Sequence, residues 1–249
     1  MGSIPPLDSV DIHLNARPRR AGAAVKVGAL GVVGTASSLL ILITYTLRST
    51  MKMNTGWKDF ALHPVLMTMA FGFIAPISAT SYRALEDILK LQHSTAKLVH
   101  SCLMTAALVC GIAGVVNMWI VHDKGGQQNH LISVHSWVGL AALIAFGVQW
   151  LTGLLSFYTP LLERCVTKRA WLPVHVFIGS FAVYGTLVAI VLGLLSFFYP
   201  TAKTAATTGG EGPKAYVTPE QLQGKYAALL AMALACFVAM VLHGGRDRY

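Results

Sequence analysis

Four histidines set the chemistry open to this sequence. His63 opens ALHPVLMTMAFGFIAPISAT and His100 opens LVHSCLMTAALVCGIAGVVNMWI. His135 stands near the start of NHLISVHSWVGLAALIAFGVQWLTG, and His175 opens LPVHVFIGSFAVYGTLVAIVLGLLSFF. Each run is apolar and long enough to cross a bilayer, with an imidazole near its N-terminal end. Histidine is expensive in hydrocarbon, and a lone one at the end of a span is ordinarily an interfacial group or a packing hydrogen bond. Four in register on four successive runs point to a shared task as ligands.

The elements that position them follow from composition. Of 249 residues, 55% are hydrophobic and only 12% charged, and the mean hydropathy is +0.60. That excludes a water-soluble globule and predicts an integral membrane protein. Apolar windows of roughly 20 residues, the length that crosses a core of about 30 Å, fall at 27–47, 61–81, 98–121, 134–157, 172–198 and 226–243. The runs lack period-2 alternation, so the expected fold is all-α, a bundle of six transmembrane helices, and not a barrel. The expected organisation is a cytosolic N-terminal arm (1–26), a membrane domain (27–243) with its core at about 61–200, and a cytosolic tail (244–249). The arm carries Pro5, Pro6, Asp8, Asp11, Arg17, Arg19 and Arg20 with no signal-peptide pattern, and Pro6 stands where myristoylation needs Ser or Thr. Residues Thr201 to Gln223 read as an extramembranous linker.

Charge gives the orientation. One side collects Arg17, Arg19, Arg20, Lys26, Arg83, Lys90, Lys97, Arg164, Lys168, Arg169, Arg246 and Arg248, twelve cations against seven on the other: Arg48, Lys52, Lys58, Lys124, Lys203, Lys214 and Lys225. By the positive-inside rule both termini are cytosolic. The net charge of +9 is thus a topology signal, and no basic stripe with interleaved aromatics supports nucleic-acid binding. Cys102, Cys110 and Cys236 lie in spans and Cys165 in a loop, without zinc spacing, so they are expected to be small buried hydrophobes. His13 and His243 lie near the termini, and His93, His122 and His130 are assigned to loops.

Helices joined by short loops alternate in direction. Spans two and four start outside, spans three and five on the cytosolic side. His63 and His135 therefore share an outer level, and His100 and His175 a cytosolic one. Two imidazoles facing each other at one depth are what a b-type haem with both axial positions filled requires. Gly139 and Gly179, four residues after His135 and His175, leave room for a macrocycle, while Met67 and Met104 occupy that spacing after His63 and His100. Two such irons would lie roughly 20 Å apart along the membrane normal. That spacing predicts an electron relay between the faces.

The residues resemble the cytochrome b-561 family of transmembrane ascorbate-dependent di-haem cytochromes. The likeness rests on LHPVLM (62–67), YR (82–83), KLVH (97–100), SVHSWVGL (133–140), QW (149–150) and LPVHVFIG (172–179). It implies two haems b held by the central four helices, His63 with His135 and His100 with His175. It also implies electron transfer from cytosolic ascorbate to monodehydroascorbate or a ferric chelate on the other side, a ferric reductase activity. Arg83, Lys97, Lys168 and Arg169 match basic positions of the family's ascorbate site, and such cations suit a monoanion. His93 stands where many relatives have a further lysine. On the outer side His122 and Lys124 approximate the acceptor site, Ile132 replaces a common aromatic, and His130 is an additional imidazole. The implied setting is the plasma membrane or an endomembrane of vesicle, vacuole or lysosome, with a homodimer open.

Walker, GxGxxG, HExxH and GxSxG patterns are absent. Two other classes share the histidines. A haem-binding subunit of a larger redox complex would lack substrate pockets. A histidine-lined divalent-metal transporter would add carboxylates at depth, and none of the ten Asp and Glu residues is expected inside a span.

Overall fold

The computed structural model describes residues 22–51, 59–124, 130–159, 167–198 and 219–244. Among these lie six helices long and apolar enough to cross a membrane, and no strand. They are α1 (Ala23–Met51), α2 (Leu62–Ile88), α3 (His93–Lys124), α4 (Val134–Phe157), α5 (Lys168–Phe198) and α6 (Pro219–His243). The fold is the all-α six-helix bundle that composition requires, because hydrocarbon leaves the backbone no partner outside its own helix.

Neighbours in the bundle pair as α1 with α6, α2 with α3, and α4 with α5. Along α1 the buried residues Val25, Val32, Ala36, Leu39, Ile43 and Leu47 recur at helical spacing. Ala227, Ala231, Leu234, Val238 and Val241 of α6 do the same. The two stripes form the largest buried seam and flank the histidine-bearing helices. Outward residues include Leu30, Trp137, Phe177 and Phe181, all exposed on the bundle and suited to acyl chains. Hydroxyls close on their own helices: Thr35 Oγ1 donates to Gly31 O, Thr46 to Leu42 O, Thr105 to Ser101 O and Ser180 Oγ to Val176 O.

Two local features shape the surroundings of the histidines. Ser133 caps α4 from an extended conformation, its Oγ accepting from Ser136 N at 3.1 Å, and so fixes the first turn that carries His135. In α2 the ladder turns π-helical over Thr68–Ile74 and again over Arg83–Ile88. Each π turn accommodates an extra residue and re-aims the side chains of the next turns.

Several expectations shift. The α2 helix continues to Ile88, so Glu86 and Asp87 fall within that span, against the expectation of no acid in any span. His93 opens α3 and His122 lies in its last turn, so neither is in a loop. The reason is common to all three: apolar windows stop where hydrocarbon stops, while helical hydrogen bonding continues through the interface. For the same reason the expected linker ends early, α6 starting at Pro219. Cys102 and Cys236 face outward and not into the core. Most of the arm, with His13, and Lys52, Lys58, Arg164, Cys165, Lys203, Lys214, Arg246 and Arg248 lie outside the described residues.

Candidate functional site

His63 and His135 come from the first turns of α2 and α4 and face each other, ring centroids 6.1 Å apart and planes 87° apart. Two imidazole nitrogens about 2 Å either side of one metal ion, with ring centres about 1.1 Å behind them, give a centroid separation of about 6 Å. Each Nδ1 is engaged elsewhere: His63 Nδ1 lies 2.9 Å from Gly114 O of α3, and His135 Nδ1 lies 2.8 Å from Ala189 O of α5. A carbonyl can only accept, so Nδ1 carries the proton in both rings and Nε2 keeps its lone pair for a metal.

The two rings line a cavity of about 580 Å³. Met67, Phe71, Gly139, Leu143 and Gly193 line it with them, an apolar wall for a flat ligand. The volume lies within the range of about 300–1,000 Å³ typical of ligand sites. A methyl group at Gly139 would find only Ala189 Cβ, at 3.8 Å, and would project into this space. Gly179 differs from the expectation, because a Cβ there would meet the Gln149 amide at 3.1 Å.

Sequence reading missed the glycines that touch the rings. A Cβ at Gly193 would lie 2.9 Å from His135 Cε1, and one at Gly153 would lie 2.8 Å from His175 Cε1. In each antiparallel neighbour the glycine stands eighteen residues after that helix's own histidine (135 to 153, 175 to 193). That recurrence was the available signal. A second reciprocity joins α2 and α3: His63 reaches Gly114 O, fourteen residues after His100, and His100 reaches Ser78 O, fifteen after His63. The extra residue on α2 is the one absorbed by its first π-helical stretch.

At the other level His100 Nδ1 lies 2.9 Å from Ser78 O, with the Tyr82 ring 5.2 Å away. His175 stands within electrostatic reach of His100 and packs edge-on against Phe157 at 5.2 Å. The predicted cations gather at this end of the bundle, two of them holding helix ends. Arg83 donates through one nitrogen to Val241 O at 2.8 Å and to Gly244 O, closing the C-terminus of α6. Lys97 donates to Phe157 O near the end of α4 and lies 4.1 Å over the Tyr158 ring. Both arrangements neutralise the negative end of a helix dipole. Lys168 and Arg169 begin α5 at the same end. His93 pairs with Glu86 at 2.6 Å and lies 5.6 Å from Tyr82.

Beyond the His63/His135 pair, His122 and His130 also line the cavity, their rings 5.6 Å apart. His130 stacks on Trp119 at 3.9 Å and meets Asp123 Oδ1 at 2.9 Å. Lys124 is exposed, and Ile132, which replaces the aromatic common in the resembled family, lines the cavity. Among the described residues no three His, Cys, Asp or Glu side chains converge as a self-sufficient metal site. Paired imidazoles with protonated Nδ1, free Nε2, glycines against the rings and an apolar cavity fit a planar metal macrocycle ligated from both faces.

Comparison with known proteins agrees with that chemistry. Over 101 residues the chain is 36% identical to the ascorbate-specific transmembrane electron transporter 1 of Zea mays, covering 41% of each. Over 146 residues it is 28% identical to the transmembrane ascorbate ferrireductase 1 of Arabidopsis thaliana, covering 55% of this chain and 59% of that one. Over 108 residues it is 32% identical to a transmembrane ascorbate-dependent reductase of Homo sapiens, covering 42% and 41%. The chain thus spans between about two-fifths and three-fifths of these relatives' lengths. The family model described as eukaryotic cytochrome b561 matches residues 62–205, every helix that carries a paired histidine. The chain belongs to the cytochrome b561 family, integral membrane proteins whose cofactor is haem b.

Proposed function

We propose that this protein carries electrons across a membrane from ascorbate to an acceptor on the opposite side, through two haems b. His63 with His135 would hold one and His100 with His175 the other. The observation that carries the reading is the outer pair, facing at 6.1 Å with both Nδ1 atoms held by backbone carbonyls. The names of the relatives, an ascorbate-specific electron transporter and an ascorbate ferrireductase, support the donor. Each haem, when bound between two imidazoles, supplies a one-electron carrier with no vacant coordination position.

The chain's own residues do the rest. The Nδ1 contacts of His63, His100 and His135 hold those rings in one tautomer and orientation, and the apolar wall of the cavity keeps water from the His63/His135 site. At the His100/His175 end, the positive charges of Lys97, Lys168, Arg169 and Arg83 would attract the ascorbate monoanion. Lys97 has donors to spare beyond the one given to Phe157 O. At the other end, His122, His130 and Lys124 would receive monodehydroascorbate or a ferric chelate, and the two imidazoles beside one cavity favour the chelate. With twelve cations on the side of the termini, that side is the cytosol.

An optical titration tests this. The full-length protein in detergent should show two low-spin b haems per chain, reduced on addition of ascorbate. In a Lys97→Ala variant ascorbate reduction should slow about tenfold or more, the loss of one charge-assisted contact, while dithionite still reduces both haems. Haem absent from the purified protein, or ascorbate leaving it oxidised, would overturn the cofactor or the donor respectively.

A further inference from the structure

The α4–α5 pair is built as an approximate two-fold repeat, and the repeat breaks at one residue. His135 and His175 each abut the glycine eighteen residues beyond the other's position. A Cβ at Gly193 would lie 2.9, 3.1 and 3.5 Å from Cε1, Nδ1 and Nε2 of His135. At Gly153 the matching distances to His175 are 2.8, 3.4 and 3.8 Å. The two rings therefore sit in the same attitude, with the same nitrogen toward the neighbouring helix.

His135 Nδ1 finds the carbonyl of Ala189, fourteen residues after His175. The equivalent residue for His175 is Gln149, fourteen residues after His135. No backbone bond of that kind forms there. His175 Nδ1 is buried without a hydrogen-bond partner, and so is Gln149 Oε1. Meanwhile Gln149 Nε2 donates to His175 O, which fixes which end of the amide carries the nitrogen. Gly179 admits this amide, since a Cβ there would lie 3.1 Å from Nε2. Gln149 is itself buried. A donor and an acceptor, each buried and unsatisfied, thus stand on two side chains already joined by another hydrogen bond. Leaving both unmet would cost far more than a small rotation or one bridging water.

We infer that Gln149 is the positioning residue of the His175 ligand, its side-chain carbonyl accepting the Nδ1 proton that backbone carbonyls accept at the other three histidines. This rests on the reading of His175 as a haem ligand. At His63, His100 and His135 the acceptor is main chain and fixed by the fold. At His175 alone it is a side chain, so this ring's donor strength can be changed by substitution without disturbing a helix. An acceptor on the far nitrogen makes an imidazole a stronger electron donor and favours ferric iron.

The test is a redox titration of the full-length haem-loaded protein in the His135→Ala background, which leaves the His100/His175 haem alone to titrate. Gln149→Met keeps the length and removes the acceptor, and its midpoint potential should rise. Gln149→Glu keeps an acceptor oxygen at the same reach, and its potential should fall. Opposite shifts from two isosteric changes are not expected of packing alone. Equal potentials in the parent and both variants, or shifts of the same sign, would overturn the inference while leaving the ligand reading intact. Should the methionine variant lose its haem, the glutamate variant should retain it; loss in both marks the amide as packing and overturns the inference. A parent protein with no haem at this site overturns the ligand reading and this inference together.

Discussion

At the scale of single residues, the site depends on what lies behind each imidazole as much as on the imidazole. His135 makes two separable contributions, Nε2 toward the cavity and Nδ1 toward Ala189 O. His135→Ala should therefore leave one haem per chain, read as a haem-to-protein ratio, with the His100/His175 haem unaffected. The glycines predict a contrast between a filled cavity and a blocked ring. Gly193→Val should unseat the His135 ring, because a Cβ would already lie 2.9 Å from Cε1. Overpacking of this kind costs about 1–3 kcal/mol, so both thermal stability and haem content should fall. Gly139→Leu meets open cavity and only Ala189 Cβ at 3.8 Å. The apoprotein should tolerate it within about 1 kcal/mol while haem uptake at the outer site fails. Equal loss of stability in the two variants would contradict the cavity assignment.

At the scale of elements, two of the cations proposed to attract ascorbate, Arg83 and Lys97, hold helices together. Arg83 ties α2 to the last carbonyls of α6 across 158 residues of sequence. Removing a charged donor that serves the last carbonyls of a helix costs about 1.5–3 kcal/mol. Arg83→Ala should thus lower the melting temperature by several degrees in a thermal-shift assay, and protease should cut near Gly244 faster. Arg83→Lys should recover only part of the loss, because an ammonium lacks the guanidinium's planar fork. An unchanged melting temperature would assign Arg83 to the substrate alone. The π-helical stretch over Thr68–Ile74 plays a comparable part. It supplies the one-residue difference that lets both α2–α3 contacts, His63 to Gly114 and His100 to Ser78, form in the same pair of helices.

For the whole molecule, alternation of the six helices puts the start of α1, the end of α6 and the first turns of α3 and α5, with Lys97, Lys168 and Arg169, at one end of the bundle, the termini's side in the proposed function. Ascorbate should then reduce the protein from the termini's side only. In proteoliposomes of known orientation, ascorbate on the Lys97 side should reduce the haems at least tenfold faster than ascorbate on the His122 side, and an impermeant ferric chelate should reoxidise them from the His122 side alone. Equal rates from both sides would remove the vectorial reading while leaving the cofactor sites unaffected.

Composition and hydropathy were enough to determine an all-α membrane bundle of six crossings, and chain alternation was enough to sort four histidines into two levels. Both follow from quantities a sequence carries directly: apolar length against bilayer thickness, and the direction each short loop imposes. Rotation of each helix about its axis was not legible, because lipid tails are as apolar as leucine and a membrane helix needs no apolar stripe to mark its inner face. Tertiary structure therefore decided that Gly153 and Gly193 touch the imidazoles, and that Gly114, Ser78 and Ala189 offer the carbonyls behind them. It also decided that Arg83 and Lys97 close helix ends, and that Gln149 and not a main-chain carbonyl stands by His175. Each of these is set by the lateral approach and rotation of packed helices, which depend on contacts distant in the chain and leave no trace in local hydropathy.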